Sequence, residues 1–202
     1  MNLTPSLWTP SLWERALLAI SLPLILAPTT AFADTYVEAS VTDYGDGYRG
    51  KNLYVEHVLR GDYSLSVSAY DDPEYASIYV GIARMIGDFQ LGLGLGEAET
   101  GGESSFGYNP TLWYQRDAWE GFAEYEYLQD DSEGYYYRGY AHRDLTDNIY
   151  AGVYSERWVG NGPLLGVKFA DNNLELRAYV AKPMFNETDV DMVANLIVSF
   201  EF

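Results

Sequence analysis

The chain has 202 residues, a formal net charge of −18 and no cysteine. So acidic a surface excludes nucleic acid as a partner, because phosphates must be met by Lys and Arg, and no disulfide staples the fold. The 19 tyrosines and the abundant Leu and Val exclude a disordered acidic protein.

Arg15 precedes the apolar run ALLAISLPLILAPTTAFA, which ends in Ala31-Phe32-Ala33, an A-x-A cleavage site before Asp34. This is the pattern of a cleaved secretory signal peptide over 1–33, with 34–202 as the exported domain. Pro23 and Pro28 interrupt the run, which is too short for a comfortable transmembrane helix. No later segment approaches about eighteen consecutive apolar residues, so helical spans are excluded. Strand spans stay open, since they need only roughly nine to eleven alternating residues.

After Asp34 the sequence reads as strand after strand with period two, punctuated by Gly, Asp and Asn. Twelve strands are predicted, near 35–43, 50–59, 63–70, 76–86, 89–97, 105–116, 118–128, 134–143, 148–156, 164–170, 173–182 and 190–202. Ten would also fit, if 44–60 or 157–170 is partly loop. In 89–96, Phe89, Leu91, Leu93 and Leu95 share one face while Gly92, Gly94 and Gly96 leave the other bare. The glycines lie inside an alternating strand with no helix after them, which is not the setting of a phosphate-binding turn. They predict empty space, either a passage or a berth for a bulky neighbour such as Trp113. In 190–202 the same alternation puts Met192, Ala194, Leu196, Val198, Phe200 and Phe202 on one face, against Asn195, Ser199 and Glu201.

Polar faces recur in most strands: Ser64, Ser66 and Ser68; Asn109, Thr111 and Gln115; Glu120, Glu124 and Glu126; Arg138 and His142. Aromatic residues gather near strand ends (Tyr44, Tyr70, Tyr108, Tyr114, Trp119, Tyr127, Tyr135, Tyr137), as girdles at two membrane–water boundaries would. The last strand, NLIVSFEF, closes on Phe202 with Phe200 on its face. With these residues in view, the chain resembles the outer-membrane β-barrels of Gram-negative bacteria. The resemblance implies an all-β, transmembrane, antiparallel up-and-down barrel. It also implies location in the outer membrane, contact with its lipid and lipopolysaccharide, and reading of Phe200 and Phe202 by the barrel insertion machinery. In strand count and size it is similar to the small sugar-acid porins, although those line their lumens with arginine and this chain does not.

Twelve strands about 4.7 Å apart and tilted by about 40° enclose a ring roughly 24 Å across between backbones. With both termini periplasmic, the short turns near 60–62, 87–88, 116–118, 144–148 and 171–172 share that side. The opposite connections are expected to be acidic loops carrying Asp71, Asp72 and Glu74; Glu97, Glu99 and Glu103; Asp130, Asp131 and Glu133; and Glu187 and Asp189. Their carboxylates offer hard oxygen ligands for divalent cations such as Ca²⁺ or Mg²⁺.

Inside, hairpin counting sets Arg138 opposite Glu124 or Glu126 and Lys168 opposite Glu175, with Arg177 two residues further on. Two readings stay open for Glu120, Glu124, Glu126, Arg138, His142, Lys168, Glu175 and Arg177. One is a salt-bridge network that locks the register; the other is a polar, pore-lining constriction. Because the carboxylates, including Glu38 and Glu201, outnumber the inward bases, such a pore should prefer cationic or neutral solutes. A plugged structural or accessory barrel of an envelope or export system is the alternative. A lipid A or phospholipid hydrolase comes third, since only His57 and His142 are available as bases and neither has a serine and an acid at the needed spacing. No metal-binding or cofactor motif is present in the sequence.

Overall fold

The computed structural model describes residues 35–45, 48–59, 61–129, 135–157, 159–169, 173–182 and 192–201. The signal peptide over 1–33, Phe202, and the loop acids Asp130, Asp131, Glu133, Glu187 and Asp189 lie outside the described residues. Twelve strands run in order: β1 (Thr35–Gly45), β2 (Tyr48–Val58), β3 (Tyr63–Asp71), β4 (Tyr75–Ile86), β5 (Phe89–Thr100), β6 (Glu103–Arg116), β7 (Trp119–Leu128), β8 (Tyr135–Asp144), β9 (Ile149–Glu156), β10 (Gly160–Phe169), β11 (Leu174–Ala181) and β12 (Val193–Glu201). Each pairs with its neighbours in sequence, and β1 pairs antiparallel with β12, from Tyr36 opposite Glu201 to Asp43 opposite Ala194. The sheet is therefore a closed antiparallel barrel with no free edge, the arrangement that satisfies every strand backbone without water.

The leucine-bearing faces point outward. Leu93 is 48% exposed, and Val80, Ile82, Leu91, Leu95, Val153, Leu165 and Leu196 are exposed with it. Two aromatic belts flank this band. Tyr63, Phe89, Trp119, Phe169 and Phe200 lie towards the end where β1 begins and β12 finishes (the terminal end of the described chain), and Phe106, Tyr108, Tyr125, Tyr127 and Tyr135 towards the opposite end. Arginines stand on aromatic rings at these levels: Arg84 over Tyr63, Arg143 over Trp119 and Arg157 over Tyr135. An apolar band between aromatic and cationic rims is the outer surface of a membrane barrel. Two expected girdle residues, Tyr44 and Tyr70, instead face the lumen, where their hydroxyls meet at 2.7 Å.

At the end opposite the termini, the strands run further than the punctuation suggests. Glu97 and Glu99 lie on β5, Glu103 on β6 and Asp71 on β3, so these acids are not in loops. Gly101 and Gly102 alone turn β5 into β6, both with positive φ (60° and 87°), as a two-residue type I′ hairpin requires. Likewise β10 begins at Gly160 rather than near 164.

The bare glycine face of β5 is a berth, and its occupant is Tyr79 of β4 rather than Trp113. A methyl group on Gly96 would come to 2.7 Å from Tyr79 Cδ1 and would collide with the Ile78 backbone; one on Gly94 would be 3.3 Å from Tyr79 Cβ. Gly96→Ala is therefore expected to destabilise the barrel by about 1–3 kcal/mol through overpacking. Gly121→Ala should be nearly neutral, because the added methyl would meet only the Tyr140 carbonyl oxygen, at 3.5 Å. Urea titration of the two refolded variants side by side checks this.

Candidate functional site in the barrel lumen

Period two decides which side chains enter the lumen, and the register decides which of them meet. Arg138 lies directly opposite Glu124, and its Nε donates to Glu124 Oε2 at 2.5 Å. Asn109 Nδ2 donates to the other oxygen of the same carboxylate at 2.8 Å. Arg177, only 2% exposed, donates from Nε to Glu175 at 3.0 Å and from Nη2 to Glu38 at 3.3 Å. Its guanidinium also covers the Tyr140 ring at 4.5 Å. Glu120 faces His142, with Nε2 at 3.3 Å from the carboxylate but off the angle of a hydrogen bond. The imidazole stacks on Tyr150, with centroids 3.9 Å apart. Lys168 and Glu175 are cross-strand partners as counted, yet Lys168 Nζ turns to Asp144 of β8, at 3.0 and 3.2 Å from its two oxygens. Glu175 is left to Arg177 and to the Tyr150 hydroxyl at 2.6 Å.

Tyrosine is the residue type that reasoning on charged residues passes over. Tyr36 donates to Glu38 at 2.8 Å, Tyr54 to Glu56 at 2.5 Å, Tyr70 to Asp72 at 2.8 Å and Tyr154 to Glu156 at 2.7 Å. Each is a Tyr-x-acid pair two residues apart, three of them on one face of a strand and Tyr70 with Asp72 just past the end of β3, so the spacing is visible in the sequence. Tyr140 reaches Glu120 at 3.1 Å, and Tyr75 reaches across to Glu126. Glu156 accepts from Tyr136, Tyr154 and Tyr179 together. Glu56, Glu126 and Glu156 thus take hydrogen bonds from neutral donors and form no ion pair among the described residues. Satisfying a buried carboxylate this way meets its need for donors without cancelling its charge.

The lumen is unevenly filled. On the β9–β12 side an apolar cluster of Tyr150, Tyr154, Leu164, Tyr179, Val193 and Ile197 occupies the interior. Beside it lies a small cavity lined by Tyr36, Glu38, Gln90, Trp113, Arg138, Arg177 and Asn195 among others. Trp113 Nε1, Arg177 Nη1 and Asn195 Oδ1, on residues that line it, are buried with no protein hydrogen-bond partner among the described residues. Of the two histidines, His142 faces this interior. His57 sits near the end of β2, its Nδ1 2.9 Å from the Thr35 hydroxyl. Among the described residues no His, Cys, Asp and Glu set is gathered to hold a metal ion.

The sequence matches no known protein family and no curated protein. Solved structures with the same architecture include the KdgM porin, with a TM-score of 0.59 and 12% identity over 83% of this chain and 99% of that one. The same porin in complex with disordered oligogalacturonate gives the same figures. An active-site mutant of outer membrane phospholipase A from Escherichia coli gives a TM-score of 0.51 and 11% identity, over 87% of this chain and 93% of that one. At such identities the likeness is one of fold: this is a barrel of the outer-membrane type.

Proposed function

We propose that this barrel is a narrow passive channel of the Gram-negative outer membrane for small cationic or neutral solutes. The observation that carries the reading is the set of lumen carboxylates Glu56, Glu126 and Glu156, bonded to tyrosine hydroxyls and an amide rather than to cations. The lumen guanidiniums of Arg138 and Arg177, in contrast, are each engaged by acids. Carboxylates spread along a narrow polar passage, Glu56 near one end and Glu126 and Glu156 towards the other, favour cations over anions. The KdgM porin has been seen with an acidic oligosaccharide; the acid surplus of this lumen does not suit such a ligand.

Single-channel recording on the refolded chain in asymmetric salt tests the reading. A reversal potential of the sign for cation preference supports it; anion preference refutes it. Glu56→Gln keeps the shape, with the amide oxygen still accepting from Gln90 and the amide nitrogen donating to the Tyr54 hydroxyl in place of accepting from it, and should lower the cation-to-anion permeability ratio about twofold. Glu124 is a poorer target, because replacing it strands Arg138.

The second reading, a plugged accessory barrel, is favoured by the side chains that span the lumen. It predicts a folded barrel with no conductance steps. We infer no hydrolase activity. Lipid would approach from outside, while His142 is buried inside against Tyr150. Incubating the protein with phospholipid and lipid A, with and without His142→Ala, would overturn that inference if product mass appears in the first case alone. The outward apolar band would contact membrane lipid, and Glu97 and Glu99 at its far rim would stand among divalent-bridged lipopolysaccharide phosphates. Phe200, exposed on the outward face of β12, would be read together with Phe202 by the insertion machinery.

A further inference from the structure

We propose that the contact between Tyr36 and Trp113 is the bottleneck of this lumen, and that these two rings set the size of solute admitted. The proposal rests on the channel reading and deepens it. In a ring of twelve strands β1 and β6 are five places apart one way and seven the other, so they stand on nearly opposite walls. These facing walls are joined across the lumen by one pair of side chains: the Tyr36 and Trp113 ring centroids are 6.2 Å apart, edge to face at 76°.

Both rings are braced. The Tyr36 hydroxyl donates to Glu38 at 2.8 Å and accepts from Arg177 Nη2 at 3.5 Å, and its ring meets Tyr54 at 6.2 Å. Trp113 is held between its cross-strand neighbours Gln90 and Phe122. The same layer narrows each of the two sectors that the bar creates. In one, Gln90 crosses from β5 to Glu56 of β2 at 2.7 Å and to Ser64 of β3 at 3.3 Å. In the other, Arg177 of β11 lies over Tyr140 of β8 at 4.5 Å. A solute in the cavity that both rings line must pass their edges to leave towards the end that holds the termini.

The test is single-channel conductance of the full refolded barrel, with polyethylene glycols of graded mass as neutral size probes. Folding is checked by circular dichroism and heat-modifiable migration. Trp113→Ala and Tyr36→Ala should each raise conductance at least about twofold and admit larger glycols. The double variant should exceed neither single one by much, because both remove one shared contact. Trp113→Phe, which retains a ring, should give a smaller increase than Trp113→Ala. Unchanged conductance and size limit in folded Trp113→Ala would overturn the bottleneck while leaving the channel reading intact. A silent wild type beside a conducting Trp113→Ala would support the bottleneck, as a plug, and refute passive passage. Silence in every folded variant would sink both.

Discussion

Arg177→Leu is expected to destabilise the folded barrel by about 3–5 kcal/mol, the cost of removing one partner from a buried charge cluster. The guanidinium is 2% exposed, bridges Glu38 at 3.3 Å and Glu175 at 2.9 Å, and lies on the Tyr140 ring. Leucine would restore some of the lost packing but leave two carboxylates facing each other without a cation. Their remaining bonds, from Tyr36 and Tyr150, come from neutral hydroxyls. Lys168→Leu supplies the contrast. Its side chain is 15% exposed and that of its partner Asp144 is 34% exposed, so the pair is near solvent and worth only about 0–1 kcal/mol. Urea unfolding of both variants in the same detergent measures the difference. If Arg177→Leu costs no more than Lys168→Leu, the cluster is hydrated and does not lock the barrel. Combining Arg177→Leu with Glu38→Gln and Glu175→Gln should recover most of the loss, since it removes the stranded charges rather than the side-chain volume.

The barrel was legible because period two and closure constrain each other. Once Leu91, Leu93 and Leu95 are placed in lipid, Gln90 and the glycines between them can only face inward, and hairpin counting then puts Arg138 against Glu124. Sequence separation alone could not show which of several inward groups a long side chain would choose. Lys168 passes over its cross-strand partner for Asp144, a residue of β8 that the counting of one hairpin cannot reach. Tyrosine misled for a different reason. Its amphipathic ring fits a membrane interface and a polar lumen equally well, so nearness to a strand end does not separate Tyr127, exposed outside, from Tyr70, bonded inside to Tyr44 and Asp72. Parity along each strand would have separated them, and the Tyr-x-acid spacing would have exposed the carboxylate network. Gly101-Gly102 punctuates a two-residue turn as strongly as a long one, so the acids of 97–103 read as a loop in the sequence although they lie on β5 and β6.

A depth series along the outer face of β5 bears most directly on the membrane assignment. Phe89, Leu91 and Leu93 climb the same exposed face from the aromatic belt to the middle of the apolar band. Arginine at Leu93 should cost about 2–4 kcal/mol in phospholipid vesicles, and at Phe89 about 0–1 kcal/mol, because the charge reaches water and headgroups at the belt but not at the midplane. Leu91→Arg should fall between them. In a barrel bathed by water the three substitutions would all sit near zero, within about 0.5 kcal/mol, as exposed surface changes do. The slope with depth therefore matters more than any one value. It arises only if hydrocarbon covers Leu93, and in that case the backbone of all twelve strands must be closed around the lumen for the same reason. A flat series would put water where the lipid should be, and the lumen would no longer separate two compartments.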